Sequence, residues 1–215
     1  MEEITSREKI LKKVRNALIS KSDETFFDVD FESPIYANQN ESLDITFAKE
    51  FTQVNGKFVY CENEEEFIST LQLLVTSNNW ENIFTLEEKI KALLSKGGIS
   101  YNSDQKDFLK TNIGITLCEF LVARLGSIVV SSAMASGRRL NVFPEIHLIL
   151  AYSSQLVYDV KEALIKLGKK YDKNLPSMIS VITGPSRTAD IEKTLVLGAH
   201  GPKEVYVFLI DDTNY

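Results

Sequence analysis

The chain has 215 residues, with 24 Lys and Arg against 30 Asp and Glu, and a formal charge of −6. Hydrophobic residues make up 44% and charged residues 25%, an ordinary composition for a water-soluble globular protein. Two cysteines (Cys61 and Cys118) and two histidines (His147 and His200) are too few and too scattered for a disulfide scaffold, an iron–sulfur protein or a structural zinc site, so no metal and no cofactor are expected. The acidic balance argues against nucleic acid, which wants clustered positive charge. No run approaches the ~18 consecutive apolar residues of a membrane span. The opening, MEEITSREKI, lacks an apolar signal core. The expectation is a reduced, cytoplasmic protein with an N-terminal helix and irregular arm at 1–41 and one α/β domain at 42–215.

The first helix is announced by Thr5 and Glu8, the spacing of a capping box. Ile10, Leu11, Val14 and Leu18 share one face; the lysines around them read as a solvated face or, alternatively, as a face for an anionic partner. Residues 20–40 have no period. Phe26, Phe27, Phe31, Pro34 and Tyr36 suggest an arm packed on its own domain or on a second subunit, which leaves a homo-oligomer open.

From residue 42 helices and strands alternate. Phe47, Ala48 and Phe51 mark a helix ending near Asn55-Gly56, and Lys57 to Cys61 a strand. Asn63/Glu66 starts a helix carrying Phe67, Leu71, Leu74 and Val75. Asn82 to Thr85 reads as a strand. A capping-box pair at Thr85/Glu88 opens a helix that ends at Gly97-Gly98. Ile99 to Asn102 reads as another short strand. A third such pair, Thr116/Glu119, predicts a helix over about Leu117–Arg124. Ser127 to Ser131 and Ile146 to Tyr152 read as buried strands. Leu156, Val160, Ala163, Leu164 and Leu167 form an amphipathic stripe. Met178 to Thr183 and Glu204 to Asp211 are the last strands, with a helix over about Thr188–Leu197 between them. This order predicts a mostly parallel sheet with helices on both faces.

Three segments offer chemistry. Ile182 to Glu192 leaves a strand, turns at Gly184-Pro185 and enters the expected last helix. A helix N-terminus there is an anion site. Ser186 and Thr188 add hydroxyls, Arg187 a guanidinium fork, and Asp190 suits the first helical turn. The alternative is plain capping, with Arg187 solvated. The loop after Ser131 carries Ser132, Arg138 and Arg139; if its strand runs parallel to the later one, both loops face the same rim. Gly198 to Pro202 joins the last helix to the last strand, so a right-handed crossover puts His200 at the end of the sheet opposite Ser186. A helix-ending turn or a base supplied from another chain are the two readings of His200. His147, at the start of a buried strand, reads as a hydrogen-bonded structural histidine. Glu119, among apolar neighbours, is the acid whose pKa burial would raise, unless it merely caps with Thr116. Glu119 and His200 are thus the catalytic candidates.

The run ITGPSRTADIEKTLVLGAHGP followed by EVYVFLID resembles the C-terminal signature of LUD-domain proteins of the lactate utilization protein C (LutC/YkgG) type. Gly114-Ile115-Thr116, Gly126-Ser127, Arg138 and the Pro144/His147 pair follow that family's central pattern in order. LDITFAKEF and KFVYC also fit. The resemblance covers about residues 42–212. It implies a fold like the NagB/RpiA/CoA-transferase group. It also implies a non-redox role in oxidising L-lactate to pyruvate, with iron–sulfur centres carried by partner subunits. The strand-end loops, read from their own residues, place a small anionic ligand at Ser131, Ser132, Arg138, Gly184, Ser186, Arg187, Thr188 and Asp190. Where the family has an acid and a Thr before its central Gly, this chain has Arg124-Leu125. The two loops with Arg138 and Arg187 leave open a stand-alone enzyme for phosphorylated or CoA-linked small molecules, and the Arg124-Leu125 departure a scaffold without activity.

Overall fold

The computed structural model describes residues 5–19, 41–189 and 195–212. Residues 1–39 form one unit and 40–215 another. In the first, helix α1 (Ser6–Ile19) opens on the expected reciprocal cap: Glu8 N donates to Thr5 Oγ1 at 3.3 Å, and Thr5 N donates to Glu8 Oε2 at 2.9 Å. The aromatic arm lies outside the described residues.

In the second unit, helix α2 (Leu43–Gln53) leads to strand β1 (Lys57–Cys61), helix α3 (Glu64–Ser77) and strand β2 (Ile83–Phe84). Asn63 caps α3 by accepting from Glu66 N at 2.9 Å. Helix α4 (Glu88–Lys96), β3 (Ile113–Thr116), β4 (Phe120–Val122), β5 (Ser127–Ser131), β6 (Ile146–Tyr152) and β7 (Leu156–Val157) follow. Helix α5 (Val160–Lys170), β8 (Ile179–Ile182), β9 (Arg187–Ala189), β10 (Leu195–Leu197) and β11 (Glu204–Ile210) complete it.

Five strands make an all-parallel sheet in the order β1-β11-β6-β3-β2. Its middle strands are apolar on both faces because both faces are covered. Leu148 and Leu150 of β6, with Tyr206, Phe208 and Ile210 of β11, pack under α3 and α4. The alternating residues Ile149, Ala151, Val205, Val207 and Leu209 pack against Phe47 and Phe51 of α2 and against Leu121, Ile128 and Val130 of a second sheet. That sheet has the order β7-β4-β5-β8 and is mixed. Its outer face, Val122, Val129 and Val157, is covered by Ala163 and Leu167 of α5. The expected α/β architecture with a parallel central sheet is present, and the second sheet is an addition to it.

Four local expectations are corrected. No helix spans Leu117–Arg124: that stretch is β4 and a 3-10 turn at Ala123–Leu125, because Phe120 to Val122 pair with Ser127 to Val129 as a hairpin. Thr116 and Glu119 consequently form no capping box. Thr85 and Glu88 form none either; Thr85 Oγ1 accepts from Glu87 N at 3.3 Å instead. Asn102 makes only an isolated bridge to Phe84, so Ile99–Asn102 is not a full strand. Finally, both described ends of the Thr188–Leu197 stretch are strand where a helix is expected: β9 and β10 pair antiparallel, Thr188 opposite Val196, favoured by the β-branched residues at Thr188 and Val196.

The hairpin turn before β5 is tight against α2. Gly126 has φ +56°, and a Cβ there would stand 2.3 Å from Phe51 N. Gly184, at φ +74°, would place a Cβ 2.3 Å from the carbonyl oxygen of Val54, the residue capping α2. Only glycine serves at both positions.

Candidate functional site

Strands β5 and β8 run antiparallel, with Ser131 opposite Ile179 and Ile128 opposite Ile182. The loops after Ser131 and after Ile182 therefore leave opposite ends of the second sheet. The expectation that they share a rim is overturned, and the proposed site residues divide into two groups.

At the Ser131 end the structure builds a polar cradle. Glu119 is removed from solvent, yet its carboxylate has three donors. Ser131 Oγ donates to Oε1 at 2.5 Å, Tyr171 Oη to Oε1 at 2.6 Å, and Lys170 Nζ to Oε2 at 2.7 Å. Burial works to raise the Glu119 pKa, but the bonds from Lys170, Ser131 and Tyr171 outweigh it and the value is lowered. The expected raised acid is thus an ionised one, suited to fixing its neighbours rather than to giving up a proton. In the loop after Ser131, Ser132 Oγ is 3.3 Å from Ser177 Oγ, and exposed Arg138 donates through Nη2 to Ser177 Oγ at 2.7 Å. Ser131, Ser132 and Arg138 of the expected loop stand at this end, and Glu119 reaches them through Ser131. Lys170, Tyr171 and Ser177 complete the group. No local motif announces them; the pairing of β8 beside β5 and the end of α5 deliver them.

The acid that burial does perturb upward is Glu87, whose raised pKa is opposed in part by bonds from Ser136. Its Oε1 accepts from Ser136 N at 3.0 Å, tying the end of β2 to the loop after β5.

At the far end, Gly184 and Ser186 hold the chain rather than a helix N-terminus. Arg187 donates to the Val54 carbonyl, and Thr188 is in the β9–β10 ribbon. Without the helix, the dipole argument for an anion there lapses. Asp190 lies outside the described residues. Arg124-Leu125 is also at this end, in the turn before Gly126, remote along the hairpin from Ser131. His200 is near Ser186, not opposite it: Ser186 N donates to Pro202 O at 2.9 Å and Gly198 N to Ser186 O at 3.0 Å. The antiparallel pairing of β9 and β10 brings the chain back beside Ser186, where a helical crossover would have carried it to the other end of the sheet.

His147 pairs in register with Gly114 and Val205 and is fully buried. Its Nε2 is 2.8 Å from Thr116 Oγ1, and burial pushes its pKa down to about 3. It is a neutral, structural histidine. Among the described residues no three His, Cys, Asp or Glu side chains are grouped to hold a metal, and no helix is long and apolar enough to cross a membrane.

The LUD domain family profile matches residues 46–210. "Lactate utilization protein C" of Geobacillus sp. (strain WCH70) is 34% identical over 105 residues, covering 47% of this chain and 44% of that protein. "Uncharacterized protein YkgG" of Escherichia coli (strain K12) is 34% identical over 105 residues, covering 48% and 46%. The chain therefore matches about half the length of these relatives. "Lactate utilization protein C" of Anoxybacillus flavithermus is 28% identical over 190 residues, covering 81% and 83%. A crystal structure of a DUF162 family protein from Deinococcus radiodurans superposes with a TM-score of 0.57 at 16% identity, covering 78% of this chain and 96% of that one; it supports the fold alone.

Proposed function

The chain belongs to the LUD domain family, and from that footing we propose that it is a non-redox subunit of a lactate utilization system, supporting oxidation of L-lactate to pyruvate while partner subunits carry the electron-transfer centres. The relatives named for lactate utilization support the system. The observation that carries the ligand-binding part is the cradle at the end of β5, where Arg138 and Ser132 both meet Ser177, and Ser131, the residue before Ser132, donates to Glu119. A guanidinium fork beside two hydroxyls matches a 2-hydroxy or 2-oxo carboxylate: the fork takes the carboxylate, and the hydroxyls take the neighbouring oxygen. Glu119 holds Ser131, Lys170 and Tyr171 and so fixes the end of β5 from which the loop with Ser132 and Arg138 leaves.

Titration of the purified chain with L-lactate and with pyruvate, followed by calorimetry, tests this. Binding lost in Arg138→Ala and not restored by Arg138→Lys supports a bidentate contact. No heat with either acid, or heat unchanged in both variants, overturns the cradle.

A further inference from the structure

The loops that enter β6 and β11 lie side by side, because those strands are parallel neighbours with Ile146 opposite Glu204. Between them is a hollow of about 420 Å3 at the amino-terminal rim of the parallel sheet, within the size range of small-molecule sites. Nothing in the cradle uses it. One wall is basic, with Arg139, His200 and Lys203. The single acid is Glu145, already 3.0 Å from Lys203 Nζ in an exposed pair that holds little free energy. On a chain with a formal charge of −6, a basic hollow is a local exception that concentrates anions.

The other wall is apolar and fixed. Val142 and Phe143 are exposed, and their N–H groups both donate to Arg139 O, at 3.1 and 3.0 Å. Phe143 rests on Phe108 with ring centroids 4.7 Å apart, and the Arg139 guanidinium lies 4.2 Å from the Phe108 centroid. Phe108 belongs to a small core with Phe84 and Leu140, so this wall is anchored. The His200 loop is anchored in turn by its two backbone bonds to Ser186.

A three-carbon acid would leave most of this hollow empty and has no use for Phe143. A ligand with a doubly charged head and a flat apolar body uses both walls: the head against Arg139, Lys203 and His200, the body against Phe143 and Val142. We propose that the hollow binds an aromatic phosphomonoester of the size of a nucleoside monophosphate. The site is separate from the cradle and does not rest on the lactate reading.

Calorimetric titration of the full chain with AMP, adenosine and inorganic phosphate tests it. AMP should fill one site per chain, with adenosine and phosphate each at least tenfold weaker, since each reaches one wall only. Arg139→Gln should weaken AMP tenfold or more. If that variant melts early because the contact with Phe108 is lost, exposed His200→Gln gives the independent reading and should also weaken AMP. Absence of AMP binding, AMP binding no tighter than phosphate, or AMP binding unaltered in both variants overturns the proposal.

Discussion

Lys170 Nζ lies 2.7 Å from Oε2 of Glu119, whose side chain is wholly shielded while that of Lys170 is 55% exposed. The lysine end stays wet, so the pair avoids most of the desolvation cost of burying two charges. The carboxylate end is held by Ser131 and Tyr171 as well. Replacing Glu119 by Ala leaves the Ser131 and Tyr171 hydroxyls without their acceptor while the exposed Lys170 turns to water, and is expected to cost about 1–3 kcal/mol. Lys170→Met should cost more, because it leaves a shielded carboxylate with two neutral donors and no counter-charge. Urea unfolding of both variants measures the order; equal stability of Glu119→Ala and the parent would show that the group is not structural.

The pH dependence of this cluster has a definite sign. The native Glu119 pKa is lowered from 4.5, so its contribution is full above pH 4.5 and drains away as pH falls through the lowered value. Glu87 behaves oppositely. Its native pKa is raised, so ionising it opposes folding as pH rises above 4.5. Glu87→Gln should match the parent at pH 4 and exceed it in stability at pH 7.5. Denaturation at the two pH values checks this, and a variant less stable at the higher pH would contradict it.

His147 adds a third window. Its pKa falls from 6.5 in the unfolded chain to about 3 in the native one. The unfolded state therefore takes up a proton first, and stability drops as pH falls from about 6.5 toward 3. His147→Gln, which can keep a bond to Thr116, should show a shallower acid slope over that window. An unchanged slope would mean that His147 is charged in the native state.

Two glycines separate backbone need from chance. Gly126→Ala forces a Cβ to within 2.3 Å of Phe51 N at φ +56° and should cost several kcal/mol. Gly168, inside α5, has nothing within 4 Å of its added Cβ, so Gly168→Ala should stabilise by about 1 kcal/mol. Thermal melting of the pair reads both signs in one experiment.

Strands were legible where burial left no ambiguity. Lys57–Cys61, Ser127–Ser131 and Ile146–Tyr152 have the expected bounds. The stretch from Leu117 to Arg124 was not. Thr116 and Glu119 have capping-box spacing, yet Thr116 turns to His147 and Glu119 to Ser131, Lys170 and Tyr171. Those partners are 12 to 52 residues away, and tertiary contacts of that kind override a local signal. The same blindness hid the ribbon after β8. The Gly-Pro turn and Thr188 suit a capped helix or a strand equally well, and the pairing of Thr188 with Val196 decides it. For the cradle, Ser131, Ser132 and Arg138 stand on one loop in the sequence, but Glu119 is apparent only as an acid among apolar neighbours, and the rim expected to join the Ser131 loop to the Ile182 loop does not exist. The antiparallel pairing of β5 and β8 removes Ser186 and Arg187 from that rim and brings in Ser177.

Growth on L-lactate tests the central claim most directly. The source organism carrying a deletion of this gene should fail to grow on L-lactate while growing normally on pyruvate. The unaltered gene should restore growth and the Arg138→Ala gene should not. A deletion strain that grows on L-lactate as well as its parent would contradict the account.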